Sequence, residues 1–330
     1  MSNPSALSTP KTKTWLERLP SVTVLGPVIA LLLASFYFST QTDRFLTPQN
    51  FSLILQQVMV VAVIAIGQTL VILTAGIDLS CGMIMALGGV VMTKFAEQFG
   101  FPPAVAILCG IGVTTAFGFL NGLLITRIKL PPFIVTLGTL NIAFALTQIY
   151  SAAQTVTISN PASPLLVFGG SLSIGGTVFN FGVITAIFLY IIVWFILSET
   201  APGRHLYAVG NNPEAARLTG IPTQRVLLLV YTLAGTIYGV AAWLLVSRTG
   251  VGDPNAGQTD NLDSITAVVL GGTSLFGGRG VIFGTLLGAL IVGVFRNGLT
   301  LTGVSSVFQV LITGILVILA VTADQLSKKK

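Results

Sequence analysis

Long apolar runs separated by short polar connections alternate along most of the chain. A membrane-spanning helix needs about 20 apolar residues, and fewer where the helix is broken inside a bundle. The pattern therefore predicts an all-α, polytopic transmembrane helix bundle of about ten spans, some of them broken or half helices, over residues 22–40, 51–74, 83–95, 104–126, 133–150, 181–197, 226–246, 264–272, 281–295 and 304–321. The eighth run is too short for a full span unless the polar residues beside it also lie within the protein.

The composition supports a membrane protein and excludes an ordinary soluble domain. Of 330 residues, 53% are hydrophobic and 8% are charged, against about 25% charged in soluble domains. The 36 glycines suit a bundle in which helix backbones approach closely. We expect an N-terminal tail over residues 1–21, one transmembrane domain over residues 22–325 and a basic tail over residues 326–330. The first apolar run lacks a clear cleavage site after it, which favours a retained span.

The charge distribution indicates the orientation of the chain. The net charge is +6, but the basic residues fall mainly in alternate connections rather than in one patch that nucleic acid would need. On the ten-span scheme, 12 of the 16 Lys and Arg residues lie on one side. By the positive-inside rule that side is the cytoplasm, and both termini lie there.

A polar segment over residues 203–220 interrupts the apolar pattern between the sixth and seventh runs. Asn212 suits a helix cap, Pro213 suits the first helical position, and Glu214 suits the positive end of the helix dipole. Gly220 suits the position just after a helix. The segment therefore predicts a helix of about two turns on the cytoplasmic side.

The faces of this short helix indicate two different roles for the segment. Ala215 and Leu218 share an apolar face, and Glu214 and Arg217 share a charged one, because residues three apart are neighbours on a helix. A helix this short is unstable alone in water. It suits either the groove of another protein or an ordinary connector between two spans.

The sequence shows no arrangement of residues that would catalyse a reaction. The glycine-rich stretch over residues 271–280 lacks the Lys-Ser/Thr pair of a phosphate-binding loop. His205 is the single histidine, and Cys81 and Cys109 both lie in apolar runs, where small buried thiols are expected. We therefore expect no enzyme, no metal site and no bound cofactor, and any ATP-driven step would need a separate ATPase chain.

Polar residues within the apolar runs are candidates for a translocation path. Asp78 is flanked closely by apolar residues, which makes it a functional candidate, although Asp78 or Ser80 could instead cap the third helix. Neutral amides would suit the passage of an uncharged polyol, but they also join helices to one another. The candidate path residues are Gln57, Gln68, Asp78, Ser80, Asn141, Gln148 and Asn297.

Five motifs in this sequence together resemble the permeases of ribose-type sugar ABC importers, in matching order over about residues 45–325. They are GQTLVILTAGIDLSCG (67–82), LPPFIVTLGTL (130–140), GRHLYAVGNNPEAARLTGI (203–221), LDSITAVVLGGTSLFGGRG (262–280) and GALIVGVFRNGL (288–299). The sequence is most similar to the branch for fructose and related monosaccharides. The Ile-x-Leu-Pro ending of the fuller coupling motif is absent, and Cys81 stands where Val is usual.

The resemblance implies the permease subunit of a monosaccharide importer in the bacterial inner membrane. Its implied partners are a second permease subunit (a homodimer, with a heterodimer as the alternative), a periplasmic or lipid-anchored sugar-binding protein, and an ABC ATPase of two fused modules that uses ATP and Mg. It places the coupling loop at residues 199–225. The implied coupling residues are Gly203, Arg204, Pro213, Glu214, Ala215, Ala216, Arg217, Leu218 and Gly220.

Other classes of function remain open from the sequence. An ABC permease could carry another small polar solute, such as a pentose, an autoinducer or a nucleoside. An ion-coupled secondary carrier would need a coupling-ion site, for which Asp78 is the single candidate. A channel or sensor subunit would need no ATPase.

Overall fold

The computed structural model describes residues 22–328 and is a bundle of α-helices with short strands at one end. The helices are α1 (Val22–Gln41), α2 (Pro48–Leu73), α3 (Cys81–Glu97), α4 (Pro103–Leu123, extended by a π-turn over Leu124–Ile128), α5 (Pro132–Ser151), α6 (Phe181–Glu199), α7 (Ala201–Asn211), α8 (Pro213–Leu218), α9 (Thr223–Thr249), α10 (Asp260–Leu270), α11 (Ile282–Leu301) and α12 (Ser306–Lys328). The strands are β1 (Val156–Thr157), β2 (Ser171–Ile174), β3 (Thr177–Asn180) and β4 (Val251–Gly252).

Each predicted apolar run corresponds to one of these helices, and the all-α polytopic fold is confirmed. Within the described residues, six helices are long and apolar enough to cross a membrane: α2, α4 with its π-turn, α5, α6, α9 and α11. The count of ten spans stays a prediction, because α3 has 17 residues and α10 only 11. The predicted tail over 1–21 lies outside the described residues, and α12 continues to Lys328, past the expected boundary at 325.

The core of the bundle is α2, in which 83% of an apolar stretch of 18 residues is buried. A helix that is apolar on all sides is stable only when other elements surround it, and α2 packs against α6, α9, α10 and α11. The chain breaks between α2 and α3, as the sequence indicates. Neither Asp78 nor Ser80 caps α3, however: the Ser80 side chain makes no cap hydrogen bond, and Asp78 accepts from the Ser80 backbone instead.

The two ends of the bundle carry different elements. At one end, here called the hairpin end, β2 pairs with β3 and β1 pairs with β4. On the predicted scheme of ten spans with both termini in the cytoplasm, residues 151–180 and 247–263 are outer segments, and the β1–β4 pair joins them. At the opposite end, here called the α8 end, α6 is followed by α7 and α8 before α9 begins. The polar segment therefore contains two helices, whereas the sequence predicts only the second.

Candidate functional site

The short helix α8 forms at the α8 end for the reasons that the sequence indicates. The Asn212 side chain accepts hydrogen bonds from the backbone N–H groups of Glu214 and Ala215 at 3.1 and 3.0 Å. Pro213 occupies the first turn. Gly220 follows with φ +87°, a left-handed conformation that glycine adopts without steric cost. The local sequence thus fixes both ends of α8.

The outward side of α8 carries an ion pair and an apolar side chain. The Arg217 guanidinium donates to both carboxylate oxygens of Glu214, at 2.6 and 3.2 Å. The Leu218 side chain is 74% exposed, whereas Ala216 is buried against the rest of the chain. An exposed ion pair contributes little to folding stability, so this surface has the features of a docking site more than of a stabilising contact.

The ion pair alters the acidity of Glu214. Hydrogen bonds from Arg217, and then its positive charge, lower the pKa of the Glu214 carboxyl below the ordinary value of 4.5. The carboxylate therefore stays charged and paired at neutral pH, which fixes the charge pattern that α8 presents.

The preceding helix α7 contacts two remote parts of the chain at the α8 end. The Gly278 N–H donates to the carbonyl oxygen of Leu73, the last residue of α2, at 2.9 Å. Gly210 lies directly against this contact, and a Cβ there would overlap the Leu73 carbonyl. The Tyr207 hydroxyl donates to the Gly280 carbonyl at 2.9 Å. A movement of α7 and α8 would consequently reach α2 and the loop that leads into α11.

A buried polar cluster fills the break between α2 and α3. The Ser80 N–H and hydroxyl both donate to Oδ1 of Asp78, at 2.9 and 2.5 Å. Gln68 donates to the Asp78 carbonyl at 2.6 Å, and Asn121 of α4 donates to the Ser80 hydroxyl at 3.1 Å. All four side chains are fully buried.

This cluster keeps unused hydrogen-bonding capacity. Three buried atoms at this cluster have no hydrogen-bond partner among the residues that the structure describes: Gln68 Oε1, Asn121 Oδ1 and the Tyr231 hydroxyl. Unsatisfied polar atoms are costly in an apolar interior. Their concentration around one carboxyl group makes the cluster a functional candidate as well as a link between helices.

A polar cavity of about 350 Å³ lies toward the hairpin end, between α2, α9, α10, α11 and α12. Its polar lining includes Gln57, Arg248, Asp260, Arg296 and Gln309. Arg296 also pairs at 2.8 Å with Asp263, whose side chain is 5% exposed. The cavity is near the lower end of the 300–1,000 Å³ range typical of small-molecule sites. Its lining offers both donors and acceptors.

Comparison with known proteins identifies the protein family of this chain. The family profile described as "Branched-chain amino acid transport system / permease component" matches residues 50–321. This match covers most of the chain and nearly all of the helix bundle. The chain belongs to this permease family.

Relatives of this permease are named as sugar importers. It is 48% identical to the fructose import permease protein of Rhizobium meliloti, over 92% of this chain and 85% of the relative. It is 41% identical to the ribose import permease protein of Bacillus subtilis, over 91% and 92% of the two chains. It is 35% identical to the D-allose transport system permease protein of Escherichia coli, over 92% and 91%. No solved structure is significantly similar to the chain. The chain is a multi-pass permease of the bacterial inner membrane.

The candidate path residues of the permease do not share one lumen within the chain. Gln57 lines the polar cavity, and Gln68, Asp78 and Ser80 form the buried cluster. Asn297 exchanges hydrogen bonds with Asn50. The other two are held elsewhere: Asn141 is exposed on α5 and bonds to the backbone of its own helix, and Gln148 donates to Asn255 at 3.0 Å.

The path residues predicted from the sequence do not include the charged residues that line the polar cavity. That prediction favours neutral amides, whereas Arg248, Asp260 and Arg296 line the cavity beside Gln57. A signal was present, since charged residues within or beside apolar runs are functional candidates. The signal was weak because these residues lie at the ends of apolar runs, where a charged residue could equally belong to a loop.

Proposed function

We propose that this permease is the membrane subunit of an ATP-driven ABC importer that takes up a monosaccharide. The named functions of the relatives, which import fructose, ribose and allose, support a monosaccharide over the branched-chain amino acids of the family description. Fructose, ribose or a similar sugar is the proposed cargo, with another small polar solute as the alternative. Fold and family do not by themselves set a substrate.

The observation that carries the coupling role is the outward surface of α8. Glu214, Arg217 and Leu218 stand clear of the bundle on a helix that is too short to be stable without tertiary contacts. In this proposal the surface docks into a groove of a separate ATPase of two fused modules. That ATPase binds ATP and Mg, and the permease itself binds no cofactor. The α8 end then faces the cytoplasm, in agreement with the positive-inside count.

The remaining partners follow from this orientation. The hairpin end faces outward, and a periplasmic or lipid-anchored sugar-binding protein docks on residues 151–180 and 247–263, which the β1–β4 pair holds side by side. A second permease subunit, in the simplest case another copy of this chain, completes the membrane part. When ATP closes the ATPase, α8 and α7 transmit the movement to α2 and to the loop before α11.

We assign the polar cavity to the outward part of the sugar path. Guanidinium groups donate and carboxylate and amide oxygens accept, which suits the alternating roles of sugar hydroxyls. The assignment predicts that Gln57→Leu slows uptake of the transported sugar by the assembled importer while the ATPase still binds. Gln41→Leu, at the exposed end of α1 and outside the cavity, is the matched control and should take up the sugar as the wild type does.

Co-purification of the permease with the candidate ATPase tests the proposal. Leu218→Gln removes an exposed side chain without altering the interior of the permease, and Glu214→Arg reverses the charge at the start of α8. Both variants should lose the ATPase while still inserting into the membrane. Asp43→Arg, a charge reversal at an exposed position between α1 and α2 and outside the coupling loop, is the matched control and should keep it.

Different outcomes would count against different parts of the proposal. If both α8 variants bind the ATPase as tightly as the wild type, the docking surface lies elsewhere. If no ATPase binds to the wild type, the coupling role fails. Uptake that collapses with an uncoupler while ATP is maintained would instead establish an ion-coupled carrier, and Asp78 would become the next residue to change.

A further inference from the structure

A second cavity, of about 360 Å³, lies at the α8 end between α6, α7 and α9. It is a groove whose lining is almost entirely apolar, with Leu70 of α2 at its base and Val193 and Ile196 on the α6 side. Along α9 it runs from Arg225 to Ile237. Because a helix rises 1.5 Å per residue, this distance is about 18 Å.

The length and position of the groove match one leaflet of a bilayer. The hydrocarbon core of a bilayer is about 30 Å thick, so one leaflet contributes about 15 Å. The groove borders α6 and α9, two of the helices that are able to span a membrane. Leu229 and Leu233 line it and are 60% and 52% exposed, so that in a membrane they meet lipid chains.

A basic residue marks the end of the groove at the membrane surface. Arg225 lies in the first turn of α9 and makes no ion pair with any residue that the structure describes. His205 of α7 lies at the same end. A basic group above a deep apolar groove is complementary to an acidic headgroup attached to an acyl chain.

We propose that this groove binds one anionic phospholipid of the leaflet at the α8 end. One acyl chain lies between α6 and α9, and the phosphate contacts Arg225. The lipid also contacts α7 at Gly203 and Leu206, which line the groove, and α7 leads directly into α8. The bound lipid therefore braces the segment that carries α8, whichever sugar the permease transports.

Lipid titration of the purified full-length permease, followed by native mass spectrometry, tests this site. The probes are dioleoyl phosphatidylglycerol and dioleoyl phosphatidylcholine, which share acyl chains and differ in net charge. The wild type should retain one phosphatidylglycerol about fivefold more tightly than phosphatidylcholine, the factor expected for one basic residue. Arg225→Gln should abolish this preference, and Leu233→Trp should weaken binding of both lipids by filling the groove.

Two variants serve as matched controls, and three results would overturn the proposal. Arg127→Gln removes an exposed basic residue outside the groove, and Leu108→Trp enlarges an exposed leucine on α4; both should bind as the wild type does. Equal retention of the two lipids by the wild type would indicate a non-specific annular lipid. An unchanged preference in Arg225→Gln, or unchanged binding in Leu233→Trp, would place the lipid elsewhere.

Discussion

Two amide side chains join α2 to α11 near the hairpin end. Asn50 and Asn297 donate to each other at 2.9 and 2.8 Å, and both are buried. Both amides are buried, so water does not compete for them, and Asn50 also donates to the Phe45 carbonyl at 2.9 Å. Measured hydrogen bonds of this kind in membrane proteins average about 0.6 kcal/mol and reach about 1.7 kcal/mol.

A double-mutant cycle should detect this pair. Asn50→Leu and Asn297→Leu should each lower the free energy of unfolding by about 1 to 2 kcal/mol. The first leaves the Asn297 amide unpaired, and the second leaves the Asn50 amide with the Phe45 carbonyl as its partner. The double variant should lose less than the sum, with a coupling energy of about 1 kcal/mol. Unfolding in mixed detergent and SDS, followed by circular dichroism, measures these values.

The control for this cycle is another amide of the same bundle. Asn141 is exposed and bonds to the backbone of its own helix, so Asn141→Leu should change the unfolding free energy by less than about 0.5 kcal/mol. Additive losses in the Asn50 and Asn297 variants would show that the reciprocal hydrogen bonds do not couple the two helices.

The effect of pH on the ion pair of α8 is a second property that depends on a single residue. Arg217 lowers the pKa of Glu214 below 4.5. For a lowered carboxyl pKa, the stabilising contribution is fully present above the ordinary pKa and is lost as the pH falls through the lowered one. The ion pair should therefore persist when the pH drops to 4.5.

A carboxyl-carbon NMR titration of Glu214 measures this shift. The midpoint in the wild type should lie below that in Arg217→Gln, where the hydrogen bonds and the charge are both absent. Arg127→Gln, which changes a basic residue outside α8, should leave the midpoint at its wild-type position. Identical midpoints in the wild type and Arg217→Gln would mean that the pair does not form in solution.

Among the helices, glycines set how closely α4 and α9 cross. Gly118 of α4 faces Gly235 of α9, and a Cβ on Gly118 would lie 2.9 Å from the Gly235 Cα and would overlap the Tyr231 carbonyl. Backbone atoms cannot move aside as a flexible side chain can. This crossing requires glycine because of close approach between backbones, which is a common packing device in membranes.

The crossing predicts different effects for two glycines of the same helix. Gly118→Ala should destabilise the permease by about 1 to 3 kcal/mol, because it forces α4 and α9 apart. In Gly112→Ala the new methyl group meets open space, so stability should stay equal or rise slightly through better helix propensity. The same SDS unfolding assay compares them, and equal losses in both would contradict the packing argument.

Across the bundle as a whole, the α8 end connects parts of the chain that are far apart in sequence. The loop before α11 contacts α2 through Gly278 and Leu73, and it contacts α7 through Gly280 and Tyr207. If the proposed coupling role is correct, these contacts carry movement from the ATPase into the bundle. A hydrogen bond typically contributes about 0.5 to 1.5 kcal/mol.

Tyr207→Phe tests this transmission, because it removes the hydroxyl and leaves the ring in place. The ATPase should still co-purify, but the sugar transported per ATP hydrolysed should fall about two- to tenfold in proteoliposomes. Tyr37→Phe, which removes an exposed hydroxyl on α1, should transport as the wild type does. An unchanged ratio in Tyr207→Phe would show that the movement takes another route.

Most elements could be predicted from the sequence, and the exceptions have identifiable causes. The seventh apolar run over 226–246 became α9 at Thr223–Thr249, and α8 has the predicted cap. The β2–β3 hairpin was missed even though Gly175 and Gly176, both with positive φ, form its turn, and a Gly-Gly pair is a known hairpin signal. The helix α7 was missed because it has proline and glycine in its first turn and a second glycine near its end.

Composition and local sequence are sufficient for several properties of this permease: a helical membrane bundle, the positions of its apolar helices and the capped helix α8. The pairing of its polar groups instead required the packing of the whole chain. Asn50 pairs with a residue 247 positions away, and Arg296 joins Asp263 beside the polar cavity. Such contacts depend on how each helix is rotated and where it crosses its neighbours, and helices that are apolar on nearly every side carry little sign of that rotation in their sequence.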